Sequence, residues 1–144
     1  MAVTAKLYTK GLGKCLTGDI DLNTDTIKFA LLTSDYTPDQ NAHDFFDDVS
    51  AAEVTGTGYT AGGATLSTVS VTPGTGTLVI DSVTDPTWAN STITARYGVI
   101  YKDTGVAATS ALISYIDFGS DQVSSTGEFK YTLSADGFGK ITVS

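Results

Sequence analysis

From Glu53 to the C-terminus, short runs of β-branched and aromatic residues alternate with turns that contain glycine, proline or aspartate. The runs after Glu53 that predict strands are residues 67–71, 77–82, 93–102, 110–119, 128–134 and 140–143. Such short, closely spaced runs favour antiparallel pairing, because parallel strands need long crossover connections. We therefore expect an all-β fold, an antiparallel β-sandwich of about seven or eight short strands with a short N-terminal helix.

An earlier run, residues 26–33 with the sequence TIKFALLT, predicts a strand that is buried largely on both faces. The chain has 144 residues, which is the size of one domain, and we expect a single domain spanning residues 1–144. The side chains expected in its core are Ile27, Phe29, Leu31, Val99, Tyr101, Ile113 and Leu133.

The N-terminal segment, residues 1–18, is predicted to be a helical arm. Apolar residues recur there at three- and four-residue steps, namely Leu7, Tyr8, Leu12, Cys15 and Leu16. Lys6, Lys10 and Lys14 follow a second stripe at four-residue steps. Two glycines inside residues 5–17 weaken a helix by about 1 kcal/mol each, so this one has to pack on something. Gly18 is the predicted C-terminal stop.

An acidic loop over residues 35–50 is predicted to follow the first strand, with one helical turn in residues 42–49. Together with Glu53 it carries six carboxylates and neither Lys nor Arg, which is typical of a solvated surface. The chain has a formal net charge of −8, which argues against direct binding to nucleic acid or to anionic lipid. It also contains no run of about 18 apolar residues, so no membrane partner is expected.

Few residues of this chain are candidates for catalysis or for metal binding. His43 is the only histidine and Cys15 the only cysteine, so a nucleophile–base pair and a zinc site both lack partners. Alternate acidic and amide side chains before the first strand suggest a Ca²⁺ loop, at Asp19, Asp21, Asn23 and Asp25. The glycine and glutamate that close an EF-hand loop are replaced by Thr24 and Ala30. We expect turn residues here, no metal, no cofactor and no enzymatic activity.

Four segments resemble a family of small structural proteins found among the head and particle genes of tailed bacteriophages. They are DTIKFALLTSDYTPDQNAHDFFDDV (25–49), EVTGTGYTAGGATL (53–66), DPTWANSTITARYGVIYKDTG (85–105) and YIDFGSDQVSSTGEF (115–129). The resemblance implies a virion protein, made in the bacterial cytoplasm, that decorates or cements the outer surface of the head by binding the major capsid protein. It also implies a homo-oligomer, with a trimer favoured by the class of protein, and it brings no catalytic residues.

Two other functions stay open at this point. One is a tail, neck or fibre component of the virion, and the other is a carbohydrate- or host-binding β-sandwich module. A glycan binder would need an exposed aromatic platform, for which Trp88 and Tyr97 are the candidates, although both look like core residues.

The candidate interface lies in the N-terminal segment and among loop aromatics. Its residues are Lys6, Leu7, Lys10, Leu12, Lys14, Phe45, Phe46 and Tyr59. The basic side chains of this otherwise acidic chain favour binding to an acidic partner. Aromatic side chains in loops are candidates for residues that anchor an interface. The alternatives are that the lysines balance the acidic loop within the fold and that the aromatics pack in the core.

Overall fold

The computed structural model describes residues 3–144, so residues 1–2 of the predicted N-terminal arm lie outside the described residues. Within 3–144 the chain forms eight strands, one α-helix and three 3₁₀ turns. The strands are β1 (Thr4–Leu7), β2 (Ile27–Leu32), β3 (Ala64–Leu66), β4 (Val69–Gly74), β5 (Thr77–Ser82), β6 (Thr87–Lys102), β7 (Leu112–Lys130) and β8 (Gly139–Thr142). The helix α1 is Thr9–Thr17, and the 3₁₀ turns are Phe46–Asp48, Ser50–Ala52 and Ala107–Thr109.

Two antiparallel sheets make up the fold, and the predicted sandwich with a short helix is confirmed. The large sheet has five strands in the order β1-β7-β6-β2-β3, and the small sheet has three in the order β4-β5-β8. The long β6–β7 ribbon forms the centre of the large sheet, with a register that runs from Thr87 opposite Lys130 to Tyr101 opposite Leu112. On its two sides, β1 pairs with β7 and β2 pairs with β6, and β3 pairs with β2 at the outer edge.

The strands of the ribbon are longer than the sequence pattern predicted. Residues 112–119 of one predicted strand and residues 128–130 of the next belong to a single strand, β7, and β6 begins at Thr87 instead of residue 93. Bulges interrupt the register without ending the strands, and Asn90 and Thr126 take positive φ values of 50° near these irregularities. A local break in alternation therefore marks a bulge in this ribbon and not a turn.

The β4–β5 hairpin turns later than predicted. Pro73 and Gly74, expected in the turn, belong to β4, and the two turn residues are Thr75 and Gly76. Proline is tolerated here because β4 is an edge strand, and Gly76 supplies the positive φ, 65°, of a tight hairpin turn.

The N-terminal segment is half strand and half helix, which corrects the prediction of one helix over residues 5–17. Residues 4–7 pair with residues 114–117 of β7, and the Tyr8 N–H donates to the Ile113 carbonyl at 2.9 Å. The helix begins at Thr9 and ends at Gly18, which has φ 89° as its predicted role requires. Gly11 is buried against β7, where a Cβ would collide with the Leu112 carbonyl, so glycine lets the helix lie directly on the sheet.

The large sheet is covered on both faces, and two apolar clusters result. One cluster lies between the sheets and includes the predicted core residues Ile27, Phe29, Leu31 and Ile113. The other lies on the opposite face, under residues 33–53, and includes the predicted Val99 and Tyr101 with Tyr8, Tyr36, Phe46 and Val49. Leu133 was expected to be buried but is only half-buried, because β7 has already ended at Lys130.

The glycine-rich segment 56–63 lies against the backbone of the large sheet. The Thr92 N–H donates to the Thr57 carbonyl at 2.9 Å, and a Cβ on Gly58 would come within 2.8 Å of the Ser91 Cα. A Cβ on Gly63 would overlap the Phe29 carbonyl. These glycines let the segment approach the backbone of the sheet more closely than any larger residue would allow.

Replacing Phe29 with alanine should destabilise the protein by about 3–5 kcal/mol. The ring is fully buried, lies over Gly98 and is 5.6 Å from the Tyr131 ring, so its loss leaves a cavity. Chemical denaturation measures the free energy of unfolding. The control is Val123→Ala, at a side chain that is 69% exposed, which should change that free energy by less than about 0.5 kcal/mol. Equal effects of the two substitutions would contradict the assigned core.

Candidate interaction surface

The two segments singled out by the sequence contact each other. The predicted acidic loop 35–50 lies within the connection between β2 and β3, and residues 33–53 of that connection, called the acidic loop from here on, run past the start of α1. The Thr9 N–H donates to the Gln40 carbonyl at 2.9 Å, and the Thr9 hydroxyl donates to the Asn41 side-chain carbonyl at 2.9 Å. The Lys10 ammonium donates to the Ala42 carbonyl at 2.7 Å. The helix and the loop therefore form one continuous surface.

The three N-terminal lysines have different environments. Lys6 lies exposed on β1, so it does not share a helical stripe with the other two. Lys10 is 3.8 Å from the Asp44 carboxylate, and the Lys14 ammonium lies 4.7 Å from the centre of the Phe45 ring. Lys10 therefore pairs with the acidic loop of its own chain, which is the alternative to an interface role that the sequence left open for the lysines. Such an exposed pair stabilises by at most about 1 kcal/mol.

The loop aromatics pack within the fold, which favours the alternative of core packing over that of interface anchors. Phe46 is buried, and its ring stacks on Tyr101 with 4.3 Å between centroids. Phe45 is half-buried and pairs through its backbone with Ala111.

Tyr59 is half-buried and joins the glycine-rich segment to the large sheet. Its hydroxyl donates to a Glu53 carboxylate oxygen at 2.7 Å and accepts the Leu31 N–H at 3.1 Å. Core packing, the alternative that the sequence left open, is therefore what the structure shows for Tyr59 as well as for Phe45 and Phe46.

A chain of three side chains, not predicted from the sequence, fastens the acidic loop to the sheet. The hydroxyls of Tyr8 and Tyr36 are 2.7 Å apart, and the Tyr36 hydroxyl is 3.0 Å from Nδ1 of His43. Burial raises the pKa of Tyr36 to about 12 and raises the pKa of Tyr8 still further. Both phenols are therefore protonated at neutral pH and can donate along the chain. His43 has a structural partner in this arrangement.

Two acidic side chains of the loop stabilise its backbone. The Asp39 carboxylate accepts the N–H groups of Asn41 and Ala42 at 3.0 and 2.9 Å. The Asp48 carboxylate accepts those of Asp44 and Phe45 at 2.8 and 3.3 Å. These hydrogen bonds lower the pKa of both carboxyls. Part of the loop's negative charge therefore serves its own folding.

The predicted turn residues before β2 are held by hydrogen bonds of their own. One oxygen of the Asp25 carboxylate is 2.9 Å from the Lys102 ammonium and accepts the Asp21 N–H at 2.8 Å. The Asp21 carboxylate accepts the Asn23 N–H at 2.9 Å. Across the described residues, no group of three or more His, Cys, Asp or Glu is placed to hold a metal ion. The absence of a metal stays a prediction.

An open apolar groove lies on the other flank of α1, between the helix and the small sheet. It is lined by Leu12, Cys15 and Leu16 of the helix, by Leu22, and by Val71, Leu78 and Ile141 of the small sheet. Leu16 is 81% exposed. Burial raises the pKa of the Cys15 thiol, which disfavours the reactive thiolate. We call this feature the α1 groove.

Positive charge without an ionic partner is found only near α1 in the described part of the chain. Six of the eight Lys and Arg side chains form ion pairs: Lys10, Lys28, Arg96, Lys102, Lys130 and Lys140. The remaining two, Lys6 and Lys14, lie on β1 and α1. Lys6 lies beside Leu12, and Lys14 lies on the flank of α1 that faces the acidic loop, across the helix from the exposed Leu16. Among residues 3–144, no helix is long and apolar enough to cross a membrane.

Replacing Asp48 with asparagine should lower the free energy of unfolding near neutral pH by about 1 kcal/mol, because a charged acceptor is lost. The folded-state pKa of Asp48 is depressed, so its contribution is present above the unfolded value of about 3.9 and is lost as the pH falls through the folded value. Thermal unfolding at stepwise lower pH checks this.

The matched control for this measurement is Asp47→Asn, because Asp47 is exposed and adjoins Asp48. The melting temperatures of Asp48→Asn and of the unmodified chain should converge in acid, whereas the control should track the unmodified chain throughout. A constant difference at every pH would contradict the role of the Asp48 charge.

Comparisons with known proteins identify no relative of this chain. No family model matches the sequence, no curated protein matches it, and no solved structure matches the fold. The function therefore has to be inferred from the surface around α1 and from the resemblance of the four sequence segments.

Proposed function

We propose that this chain is a structural protein of a tailed-bacteriophage particle that decorates the outer surface of the head. In this proposal it binds the major capsid protein through the α1 surface, defined by Lys6, Leu12, Lys14 and Leu16. The observation that carries the site is the exposed Leu16, 81% accessible, on a helix that also bears an unpaired lysine. The assignment to a virion is supported by the resemblance of the four segments.

The energetics of such a contact favour the leucines over the lysines. Burying most of the Leu16 side chain contributes up to about 2 kcal/mol. An exposed ion pair contributes about 0.2–1 kcal/mol. The lysines instead orient the protein towards an acidic patch on the capsid and raise the association rate. The remaining surface is acidic, which keeps decorated particles apart by mutual repulsion.

The proposed role is noncatalytic. Only the resemblance of the four segments favours a position on the head over one in the tail, neck or fibres. A carbohydrate-binding role is less well supported by the surface. Trp88 is only 6% exposed and Tyr97 is half-buried, so neither supplies an open aromatic platform. The ring of Trp88 instead packs against Phe129 at 5.9 Å and Tyr59 at 5.8 Å.

Point substitutions test the site better than removal of the N-terminal segment, because removal would also eliminate β1 and the fully buried Tyr8. Leu16→Ser should weaken binding to undecorated particles about tenfold or more, in line with the lost apolar burial. The double variant Lys6→Ser, Lys14→Ser should weaken it only a few-fold and reduce its dependence on salt. Co-sedimentation of the purified variants with particles measures both effects.

The matched control is Val123→Ser, which changes an exposed valine on β7, away from α1. It should bind particles like the unmodified chain. Full binding by Leu16→Ser, or an equal loss in the control, would contradict the proposed site.

A further inference from the structure

The four sheet edges of this protein are protected unequally. The edge strands β1 and β8 each carry a lysine, Lys6 and Lys140. The edge strands β3 and β4 carry no charged residue, and none occurs in residues 54–80, which contain both strands. Natural sheets commonly protect an exposed edge with charge, lysine above all, because free backbone groups recruit further strands. The β4 edge lacks charge, and its one protective residue is Pro73, which removes a single N–H from the edge.

Backbone groups of β4 point outward, away from the small sheet. On the neighbouring strand, the Ile80 carbonyl accepts the Phe138 N–H at 2.9 Å, so it faces β8 and not β4. Val71 lies opposite Ile80, and its own N–H and carbonyl therefore face away from β5. The backbone N–H and carbonyl groups of successive residues in a strand point to opposite sides, so the carbonyl groups of Val69 and Pro73 and the N–H of Val69 also face away from β5. Between residues 3 and 144, no backbone group bonds to the outer side of Val71.

We propose that the β4 edge is a self-association surface, on which β4 of a second copy pairs antiparallel about a two-fold axis at Val71. In this register the two Val71 residues exchange both backbone hydrogen bonds. Val69 donates its N–H to the Pro73 carbonyl of the second copy. Pro73 has no N–H, so it serves only as an acceptor, and the Val69 carbonyl opposite it receives no backbone hydrogen bond from the second copy. The two small sheets join into one sheet of six strands.

Charge explains why a second copy suits this edge. Two copies with a net charge of −8 each repel one another over most of their surfaces. A two-fold contact places the same residues on both sides, so any charge at its centre faces a like charge. The β4 edge lies in the charge-free residues 54–80, which avoids that cost, and Val71, 42% exposed, contributes apolar area.

The proposed contact has two-fold symmetry and makes a dimer, whereas the family resemblance implies a trimer. The mass of the protein in solution distinguishes a dimer from a trimer. Sedimentation of the full chain should give twice the chain mass of 15.0 kDa at high protein concentration. Val71→Lys sets two ammonium groups opposite each other and should weaken dimerisation about tenfold or more. The matched control Val123→Lys, at another exposed valine, should leave the dimer intact.

A monomer at every concentration, a trimer, or a dimer unaffected by Val71→Lys would overturn the proposal. Hydrogen exchange of the unmodified chain gives a test that needs no variant. The Val69 and Val71 amides should exchange slowly in the dimer and rapidly after dilution, and rapid exchange at all concentrations would also overturn it.

Salt and the particle-binding variant separate this inference from the proposed function. Dimerisation should not weaken with added salt, because the contact contains no ion pair, whereas binding of particles through Lys6 and Lys14 should weaken. Leu16→Ser should keep the dimer while losing particles. Val71 also lines the α1 groove, so particle binding by Val71→Lys does not decide between the two proposals, and a monomeric unmodified chain rules out the second copy.

Discussion

Antiparallel pairing of β6 and β7 is the interaction on which the rest of this structure depends. The ribbon runs from Thr87 to Lys130, and β2 and β1 add to its two sides. Its apolar side chains point to both faces, so neither face can be left in water. The small sheet covers one face, and the acidic loop together with Tyr8, at the start of α1, covers the other. Each remaining element either covers a face of this ribbon or extends the sheet at one of its edges.

The cover on the second face links the core to the surface proposed for binding. Tyr36 and Phe46 of the acidic loop pack into the apolar cluster, while the loop's exposed side chains carry its charge. The same loop holds α1 in place through Thr9 and Lys10. The start of the helix is therefore fastened to the loop by hydrogen bonds, which lowers the entropic cost of presenting Leu16 to a partner.

The sequence predicted those parts of the fold whose side chains alternate in a simple way. It predicted β2 as a strand buried on both faces, the core positions of Phe29 and Ile113, and the stop of the helix at Gly18. It missed β1, because the spacing of Lys6, Leu7 and their neighbours also fits a helix. Only the pairing with β7 decides between a strand and a helix at these residues. It placed the hairpin turn at Pro73 because a proline reads as a turn residue unless the strand is known to lie at an edge. For the site, Leu12, Lys6 and Lys14 were predicted from their spacing. Leu16 was assigned to the apolar helical stripe but not to the predicted interface, and its exposure is seen only in the structure. The burial of Phe46 and the Tyr8–Tyr36–His43 chain depend on contacts between distant segments, which spacing does not reveal.

The central claim is that this chain decorates the phage head, and its copy number in purified particles tests that claim most directly. Quantitative mass spectrometry of intact virions, with the major capsid protein as internal standard, measures the number. A decoration protein should occur in a fixed ratio to the capsid subunit, since every equivalent site on a symmetric shell is filled. A few copies per particle would place the chain in the tail or neck, and its absence from purified particles would contradict the account altogether.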